Sequence, residues 1–295
     1  MSNINDMKLT FSGHDSFHCR QFWLKKAFGH SSNDLQFNDA ATVQLGVGRN
    51  MVSAVRHWAK CFDILDDNEV TSEFANNLLS VEGWDPYLED IGSLWLLHYK
   101  LVSREKASAF SIVFNDLIQL RNEITLEYFI THIQNIDPNE YNENTLKRDF
   151  GVFYNTYQAD YRAKDIEESF NGILSELGLL KKVQKQVLDV EGKLRSLDVW
   201  LIERSTRENI PLHIFLYALL VQNPNDTSIG FERIYNERNS AGKIFALNKD
   251  GVTTYLERLE KELDYGITFS NEAGIRELQF NNTLNPQTIL EDYYV

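Results

Sequence analysis

With 295 residues, 43% of them hydrophobic, the chain is long enough for two or three compact units with cores of their own. Its two cysteines are too few for a disulfide framework or a zinc-finger spacing, and no apolar run approaches the roughly 18 residues of a membrane span. The first ten residues lack the apolar core of a signal peptide, so we expect a cytoplasmic protein with no membrane partner.

The net charge of -14 argues against a nucleic-acid partner, because phosphate binding depends mainly on Lys and Arg. The charge is unevenly distributed, however, and residues 11–62 contain six Lys and Arg against three acids. A basic island in an acidic body predicts contact with DNA through one defined surface. The acidic remainder would repel DNA or meet protein partners.

Residues 8–30 predict a short strand followed by a helix that Asp15 caps and Gly29 ends. Three cations on its outer side could hold phosphates; they are Arg20, Lys25 and Lys26. The group His14, Asp15 and His18 has the composition of a metal or acid–base site, and the two histidines are four residues apart, as helical ligands often are. The alternative is a pair of core histidines, since no third ligand is fixed by the spacing.

Residues 38–62 predict two short helices joined by a glycine turn. Asn38 would cap the first helix, Gly46 would end it in the left-handed conformation, and the second would start near Arg49. At helical spacing, one face of the second helix is cationic and the opposite face is apolar. The cationic face consists of Arg49, Ser53, Arg56 and Lys60; the apolar face consists of Met51, Val55, Trp58 and Phe62. This pattern predicts a helix-turn-helix that reads DNA, with Asn50 and His57 near base edges or phosphates. The alternative is a helical hairpin whose basic face is merely solvated.

The rest of the chain repeats an order of helices and then a hairpin. A predicted hairpin at residues 64–71 occupies the position of the wing in a winged helix. A buried helix near 87–103 ends the first unit, 1–105. This unit would be the winged-helix-like DNA-binding unit. A second unit, 106–205, has predicted helices at 124–136, after Asn144 and at 165–180. A third unit, 206–295, has helices starting at Pro211, Asn248 and Pro286 and a hairpin near 265–280. The predicted fold is therefore mainly α with small β-hairpins, α+β in class, with winged helix-turn-helix-like units.

The second unit ends in a hairpin, 179–202, that is rich in cations. They are Lys181, Lys182, Lys185, Lys193 and Arg195. The hairpin could contact phosphate, or its lysines could protect a solvated sheet edge. The sequence favours neither reading.

Signatures of common enzymes are absent from the sequence, which has no Walker loop, nucleophile elbow, His-Glu-x-x-His or Cys-x-x-Cys. Glu191, Gly192 and Lys193 resemble part of a nuclease motif, but they fall in a predicted turn. Cys19 and Cys61 are expected to be small core residues, because a sulfur-carrying role needs an exposed thiolate of low pKa. Catalytic and metal-binding residues therefore remain unassigned, with His14, Asp15 and His18 as the candidates.

Three blocks are distinctive in their residues and in their order along the chain: FSGHDSFHCRQFWLKKAF (11–28), LGVGRNMVSAVRHWAKCF (45–62) and LWLLHYKL (94–101). Together they resemble the bacterial domain-of-unknown-function 4007 family, which includes the SspB-type component of DNA phosphorothioate modification systems. The later KRDFGVFYNTY (147–157) fits the same family, so the resemblance is nearly full length.

The resemblance implies a role in replacing a non-bridging phosphate oxygen of DNA by sulfur, as part of phage defence. It implies partnership with a cysteine desulfurase, an ATP-using sulfur-insertion enzyme and an ATPase. It also implies that the protein engages DNA and nicks it, in which case a divalent metal, Mg²⁺ or Mn²⁺, is expected as cofactor. Two alternatives stay open: a non-enzymatic winged-helix regulator and a protein–protein adaptor.

Overall fold

The structure, a computed structural model, describes residues 9–137, 139, 141–158, 172–188, 191–272 and 274–295. These residues form a mainly helical α+β fold with two small antiparallel sheets, as the sequence predicts. The helices are α1 (Trp23–Ser32), α2 (Ala41–Leu45), α3 (Arg49–Cys61), α4 (Glu73–Leu79), α5 (Ile91–Ser103), α6 (Ser108–Ile112), α7 (Ile118–Leu120), α8 (Leu126–Ile136), α9 (Glu143–Tyr157), α10 (Leu212–Gln222), α11 (Phe231–Asn236), α12 (Ala241–Ile244), α13 (Lys249–Glu262) and α14 (Pro286–Tyr294). The strands are β1 (Glu123–Ile124), β2 (Lys181–Leu188), β3 (Leu194–Leu201), β4 (Ser228–Gly230), β5 (Ile267–Glu272) and β6 (Ile275–Phe280). Of the helices in the described ranges, none is long and apolar enough to cross a membrane.

Short polar side chains at helix starts explain why several helices begin where they do. Ser72 accepts a hydrogen bond from the backbone of α4, and Asn248 does the same for α13. The start at Asn248 was predicted, and so was Pro286 in the first turn of α14. Asn144 lies inside α9, because Asn142 supplies the cap instead.

The first helix begins later than the sequence predicts. It starts at Trp23 and continues through Gly29, so a cap at Asp15 and an end at Gly29 were wrong. The cause is a tertiary contact that periodicity does not reveal. His14 is buried against α3 and α9, and this holds the preceding loop in a non-helical conformation.

The predicted helix at 165–180 was also wrong for residues 172–180. Residues 165–171 lie outside the described residues. Gly172 forms an isolated bridge with Arg20, and only one 3₁₀ turn, Ser175–Leu177, follows before Gly178 ends it with a φ of 61°.

Each sheet of the described residues is built around a hairpin. β2 pairs with β3, and β3 also pairs with β1, so β2 is the edge strand of the first sheet. β5 pairs with β6, and β6 also pairs with β4. Both hairpins were predicted. At the position expected for a wing, the chain makes only one antiparallel bridge, between Leu65 and Thr71. The winged-helix interpretation of that turn stays a prediction.

Helix α5 forms the buried centre that its apolar sequence predicts. His98 on this helix is fully buried, and its Nε2 donates to the carbonyl of Ile244 at 2.7 Å while its Nδ1 accepts from the Tyr157 hydroxyl at 2.8 Å. Burial lowers the pKa of His98 to about 3, so the ring is neutral at physiological pH. One histidine thus joins α5 to α9 and α12.

The C-terminal helix α14 packs on the body through its tyrosines. The Tyr294 ring stacks on Trp84 with centroids 4.9 Å apart, and the Tyr293 hydroxyl donates to Asp90 at 2.8 Å. Asp90 is also the cap of α5. The end of the chain is therefore fixed to the start of the central helix.

A network of polar side chains joins distant parts of the chain beside a π-helical turn, Val113–Leu117. The Arg238 guanidinium pairs with Glu105 at 2.7 Å and with Asp116 at 3.3 Å, and Asn239 and Asn115 hydrogen bond to each other. These contacts join segments from all three predicted units. The division into units 1–105, 106–205 and 206–295 stays a prediction.

Candidate nucleic-acid interface

Helices α2 and α3 are joined by the predicted glycine turn. Gly46 ends α2 in the left-handed conformation, with φ 64°, and an extended residue then leads into α3 at Arg49. The inner face of α3 is apolar as expected: Val55 and Trp58 are fully buried, and Met51 is partly buried. The opposite face is therefore fixed toward solvent.

The outer face of α3 presents the predicted cations to different degrees. The Arg49 side chain is 75% exposed and that of Arg56 is 43% exposed, whereas that of Lys60 is 24% exposed. Asn50 is exposed and Ser53 is half-buried. The accessible positive charge is thus concentrated in the first two turns of the helix.

Each of these cations has a carboxylate partner within the protein. Arg49 pairs with Asp39 at 2.9 Å, and Glu69 accepts from both Arg56 at 3.4 Å and Lys60 at 3.3 Å. Ion pairs between exposed side chains contribute little stability, about 0–1 kcal/mol. A phosphate could therefore replace these carboxylates at small cost, and we call Asp39 and Glu69 the internal counterions.

His57 is half-buried beside the exposed cations, and its place near base edges or phosphates stays a prediction. Its ring lies beneath Gly13, where an added Cβ would come within 2.4 Å of two ring atoms. The ring also packs edge-on against Trp58. Burial, with smaller contributions from His14 and two lysines, lowers the pKa of His57 to about 4.

The three cations of the first block have different surroundings. The Lys25 ammonium donates to the carbonyl of Leu79 at 2.5 Å, at the C-terminal end of α4, so its contact is within the fold. Lys26 is exposed and donates to the carbonyl of Leu45 at 2.8 Å. The Arg20 guanidinium lies 5.5 Å from the centroid of Trp23. Lys26 and Arg20 therefore adjoin the α2–α3 turn, next to the exposed end of α3.

The candidate catalytic group does not form an open site. His14 is 3% exposed, and its ring stacks on Trp58 with centroids 5.6 Å apart. Its Nε2 donates to Asp149 at 3.1 Å, and its Nδ1 accepts from the backbone of Ser16 at 3.3 Å. The Asp149 carboxylate also accepts from the backbone of Ser12 at 3.1 Å. The group holds the N-terminal loop against α3 and α9.

Asp15 and His18 do not join His14 in a ligand set. Asp15 is exposed and His18 is half-buried, and neither lies on a helix. Across the described ranges, no three side chains of His, Cys, Asp or Glu are arranged to hold a metal ion. His14 and His18 were expected to lie one turn apart on a helix, as helical metal ligands often do. That expectation was wrong, because α1 begins only at Trp23.

The loop that supports His14 is conformationally strained. Ser12, Asp15 and Ser16 all have positive φ, at 70°, 46° and 72°. Such conformations cost about 1–3 kcal/mol each in residues other than glycine. The bonds to Asp149 and the stacking of His14 on Trp58 offset that cost.

The basic hairpin has carboxylate partners for most of its lysines. Lys182 pairs with Asp198 and Lys185 with Glu123, each at 2.6 Å, and Lys193 pairs with Glu191 at 2.8 Å. Lys181 and Arg195 are exposed. Since β2 is an edge strand, its lysines fit the edge-protection reading. A phosphate contact there stays a prediction.

Both cysteines are buried, as predicted for core residues. Burial raises the pKa of Cys19, and it raises that of Cys61 to about 12. The Cys61 thiol therefore stays protonated and donates to His57 Nε2 at 3.4 Å. Neither thiol has the exposed, low-pKa character of a sulfur carrier.

Three acidic residues pair with the candidate residues, and the sequence did not predict these partners. Asp149 lies in the KRDFGVFYNTY block (147–157), where neighbouring residues give no sign that its partner is His14. In the sequence, Asp39 and Glu69 contribute to the net charge, but nothing near them in the chain shows which cations they pair with. A long-range partner leaves no periodic signal, so these pairs required the tertiary structure.

Comparison with known proteins gives consistent results. The family model described as protein of unknown function (DUF4007) matches residues 11–294. The crystal structure of magnesium ion-bound SspB is similar, with a TM-score of 0.80 and 28% identity over 97% of this chain and 88% of that chain. A second SspB crystal structure has a TM-score of 0.78 and 27% identity, with the same coverage. No curated protein matches the chain.

Proposed function

Because the chain belongs to the DUF4007 protein family, which includes SspB-type proteins, we propose that it is a DNA-binding component of a bacterial DNA phosphorothioate modification and phage-defence system. Its similarity to SspB over 97% of its length supports this assignment. The observation that supports DNA binding most directly is the exposed cationic start of α3, where Arg49 and Arg56 project from a helix that follows a short glycine turn.

In this proposal, the first two turns of α3 contact DNA. Arg49 and Arg56 exchange their internal counterions for phosphates, while Asn50 and Ser53 are placed between them to reach base edges or backbone. The acidic remainder of the protein, which gives the net charge of -14, is left for protein partners. Those partners would be the cysteine desulfurase, the ATP-using sulfur-insertion enzyme and the ATPase of the same system.

A salt-dependence experiment tests the DNA contact. Binding to a short duplex is measured from low to moderate salt for the wild type and for the double substitution Arg49→Ala, Arg56→Ala. Each lost phosphate contact lowers the slope of log affinity against log salt by about 0.9, so the double variant should lose about 2 from the slope. Lys261→Ala is the matched control, because Lys261 is also an exposed cation in a surface ion pair, with Glu257 at 3.6 Å.

An unchanged slope in the double variant would contradict the proposal and favour the adaptor alternative. That alternative has one observation of its own. The cations of α3 already have carboxylate partners in the protein, as they would if this face never met phosphate. A symmetric footprint with half-sites about one helical turn apart would instead favour the dimeric regulator.

Nicking is a separate hypothesis with a separate assay. Supercoiled plasmid is incubated with the pure protein and Mg²⁺ or Mn²⁺, and relaxation is measured against a metal-free reaction. We assign no residue to the metal, because the described residues contain no convergent set of three ligands. His14→Ala is expected to reduce any nicking only as far as it reduces folding, since His14 is buried. Plasmid that stays supercoiled would contradict intrinsic nicking while leaving DNA binding intact.

A further inference from the structure

A cleft of about 410 Å³ opens beside the α2–α3 turn, next to the exposed end of α3. Its lining comes from the segment that leads into α1, from α1 itself and from the turn. The lining residues are Arg20, Phe22, Trp23, Lys26, Gly46, Val47 and Met51. The volume is within the range of pockets that bind small ligands, about 300–1,000 Å³.

The lining combines aromatic surface with positive charge. Trp23 is buried, whereas Phe22 is 45% exposed, so part of the Phe22 side chain is accessible at the cleft. Arg20 and Lys26 supply the charge, and no carboxylate lines the cleft among the residues that the structure describes. The outer face of α3 differs in this respect, because there each cation meets an internal counterion.

Contacts within the protein position Arg20 and Lys26, and both side chains retain N–H groups that can donate to a ligand. The Lys26 ammonium uses one of its three N–H groups on the carbonyl of Leu45, at 2.8 Å. The Arg20 guanidinium lies 5.5 Å from the Trp23 ring centroid, which leaves its N–H edge available. Gly46 has no atom within 4 Å of where a Cβ would be, so the turn leaves the approach open.

We propose that this cleft binds one unstacked nucleotide of DNA, with the base against Phe22 and the phosphate at Arg20 and Lys26. Every base has a π face, so an exposed aromatic ring accepts any of them, and flanking cations bind the backbone of the same nucleotide. The cleft borders the α2–α3 turn, so a strand that contacts Arg49 can continue into it. The proposal rests on the proposed DNA binding and adds a preference for locally unpaired DNA.

The test compares a fully paired duplex with the same duplex carrying one unpaired nucleotide. The wild type should bind the bulged DNA about tenfold more tightly, the size expected when one base stacks on an aromatic ring. Phe22→Ala should lose that preference and retain affinity for the paired duplex. Tyr87→Ala is the matched control, because Tyr87 is an exposed aromatic residue outside the cleft.

The outcomes separate this proposal from the DNA-binding proposal. Equal affinity of the wild type for both DNAs, or a preference that survives Phe22→Ala, would overturn the cleft assignment and leave duplex binding in place. Failure to bind either DNA would overturn both. Arg49→Ala should weaken binding to both DNAs by the same factor, because it lies outside the cleft.

A second readout does not depend on affinity. The unpaired base is replaced by 5-iodouracil, the complex is irradiated, and crosslinked peptides are identified by mass spectrometry. Crosslinks are expected within residues 20–26 or 46–51, which line the cleft. Crosslinks found only elsewhere in the chain, for example on the basic hairpin, would overturn the proposal even if the bulge preference is observed.

Discussion

At the scale of single residues, Gly13 lies too close to a neighbouring side chain to accept a Cβ. A Cβ at this position would lie 2.4 Å from Cε1 and Nδ1 of His57, and the ring has little room to move because Trp58 packs against it. The φ of Gly13 is not in the left-handed region, so the requirement for glycine comes from contact rather than from backbone conformation.

Gly13→Ala is therefore expected to destabilise the protein by about 1–3 kcal/mol, the usual cost of overpacking. The measurement is urea-induced unfolding. Gly29→Ala is the control, because Gly29 lies inside α1 with nothing within 4 Å of its Cβ position. That substitution should stabilise the protein by up to about 1 kcal/mol through helix propensity. Equal effects of the two substitutions would contradict the contact.

His57 and His98 make the protein sensitive to acid. Burial lowers the pKa of His57 to about 4 and that of His98 to about 3, whereas in the unfolded chain each titrates near 6.5. Below pH 6.5 the unfolded state therefore binds protons that the folded state does not. The free energy of unfolding should fall as pH falls from about 6.5 toward 4, by up to about 1.4 kcal/mol per pH unit for each histidine.

Unfolding by urea at pH 7.5, 6.5 and 5.5 measures this loss. His57→Asn keeps a hydrogen-bonding side chain and removes one titrating group, so its stability should fall less steeply with acid than that of the wild type. The comparison of slopes cancels the contributions of His132 and His213, whose pKa values burial also lowers. Parallel slopes would mean that the pKa of His57 is the same in the folded and unfolded states.

At the scale of secondary-structure elements, the turn between Leu65 and Thr71 supplies a carboxylate that neutralises part of the positive charge of α3. Glu69 in this turn is half-buried and pairs with both Arg56 and Lys60. Its φ of 69° and the bond from Ser31 Oγ to its carbonyl, at 2.7 Å, fix the backbone there. The carboxylate thus competes with any phosphate for the same two cations.

Glu69→Gln should strengthen binding to duplex DNA several-fold at low salt and make that binding more dependent on salt, because two cations are released to phosphate. Titration of labelled duplex at several salt concentrations measures both effects. Glu82→Gln is the charge-matched control, since Glu82 is exposed and forms no ion pair within the described part of the chain. Weaker binding of the Glu69 variant would show that this carboxylate positions the cations rather than competing for them.

The sequence predicted most of these elements from local signals. The apolar face of α3, the cap at Asn248 and the two hairpins all depend on side chains close together in the chain, so spacing reveals them. Periodicity also placed His57 on the outer side of α3. It could not show that Gly13, from a loop far away in sequence, covers that ring.

At the scale of the whole molecule, the distinctive blocks of sequence prove to be neighbours. His14 from the first block stacks on Trp58 from the second and binds Asp149 from the later KRDFGVFYNTY block. His98 from the third block binds Tyr157 at the end of that same later block. The blocks that resemble the family are therefore joined by buried contacts in the core. Such contacts indicate a shared fold and do not identify an active site.

The guanidinium of Arg238 also joins distant parts of the molecule. It bridges Glu105 and Asp116, whose side chains are 20% and 13% exposed, and it also donates to Ser111 at 3.0 Å. Burial raises the pKa of Asp116, and Arg238 opposes that rise. Replacing Arg238 would leave two mostly buried carboxylates without this partner, and unpaired buried charges are costly.

Arg238→Met is expected to destabilise the protein by about 3–5 kcal/mol near pH 8. The loss should be smaller at pH 5, because without Arg238 the pKa of Asp116 rises further and the neutral acid is less costly to bury. Urea unfolding at the two pH values measures both effects. Arg233→Met is the control, since Arg233 pairs with the more exposed Asp226 and Glu237 and should cost about 1 kcal/mol or less. If the two variants lose the same stability at both pH values, the Arg238 network does not hold the distant segments together.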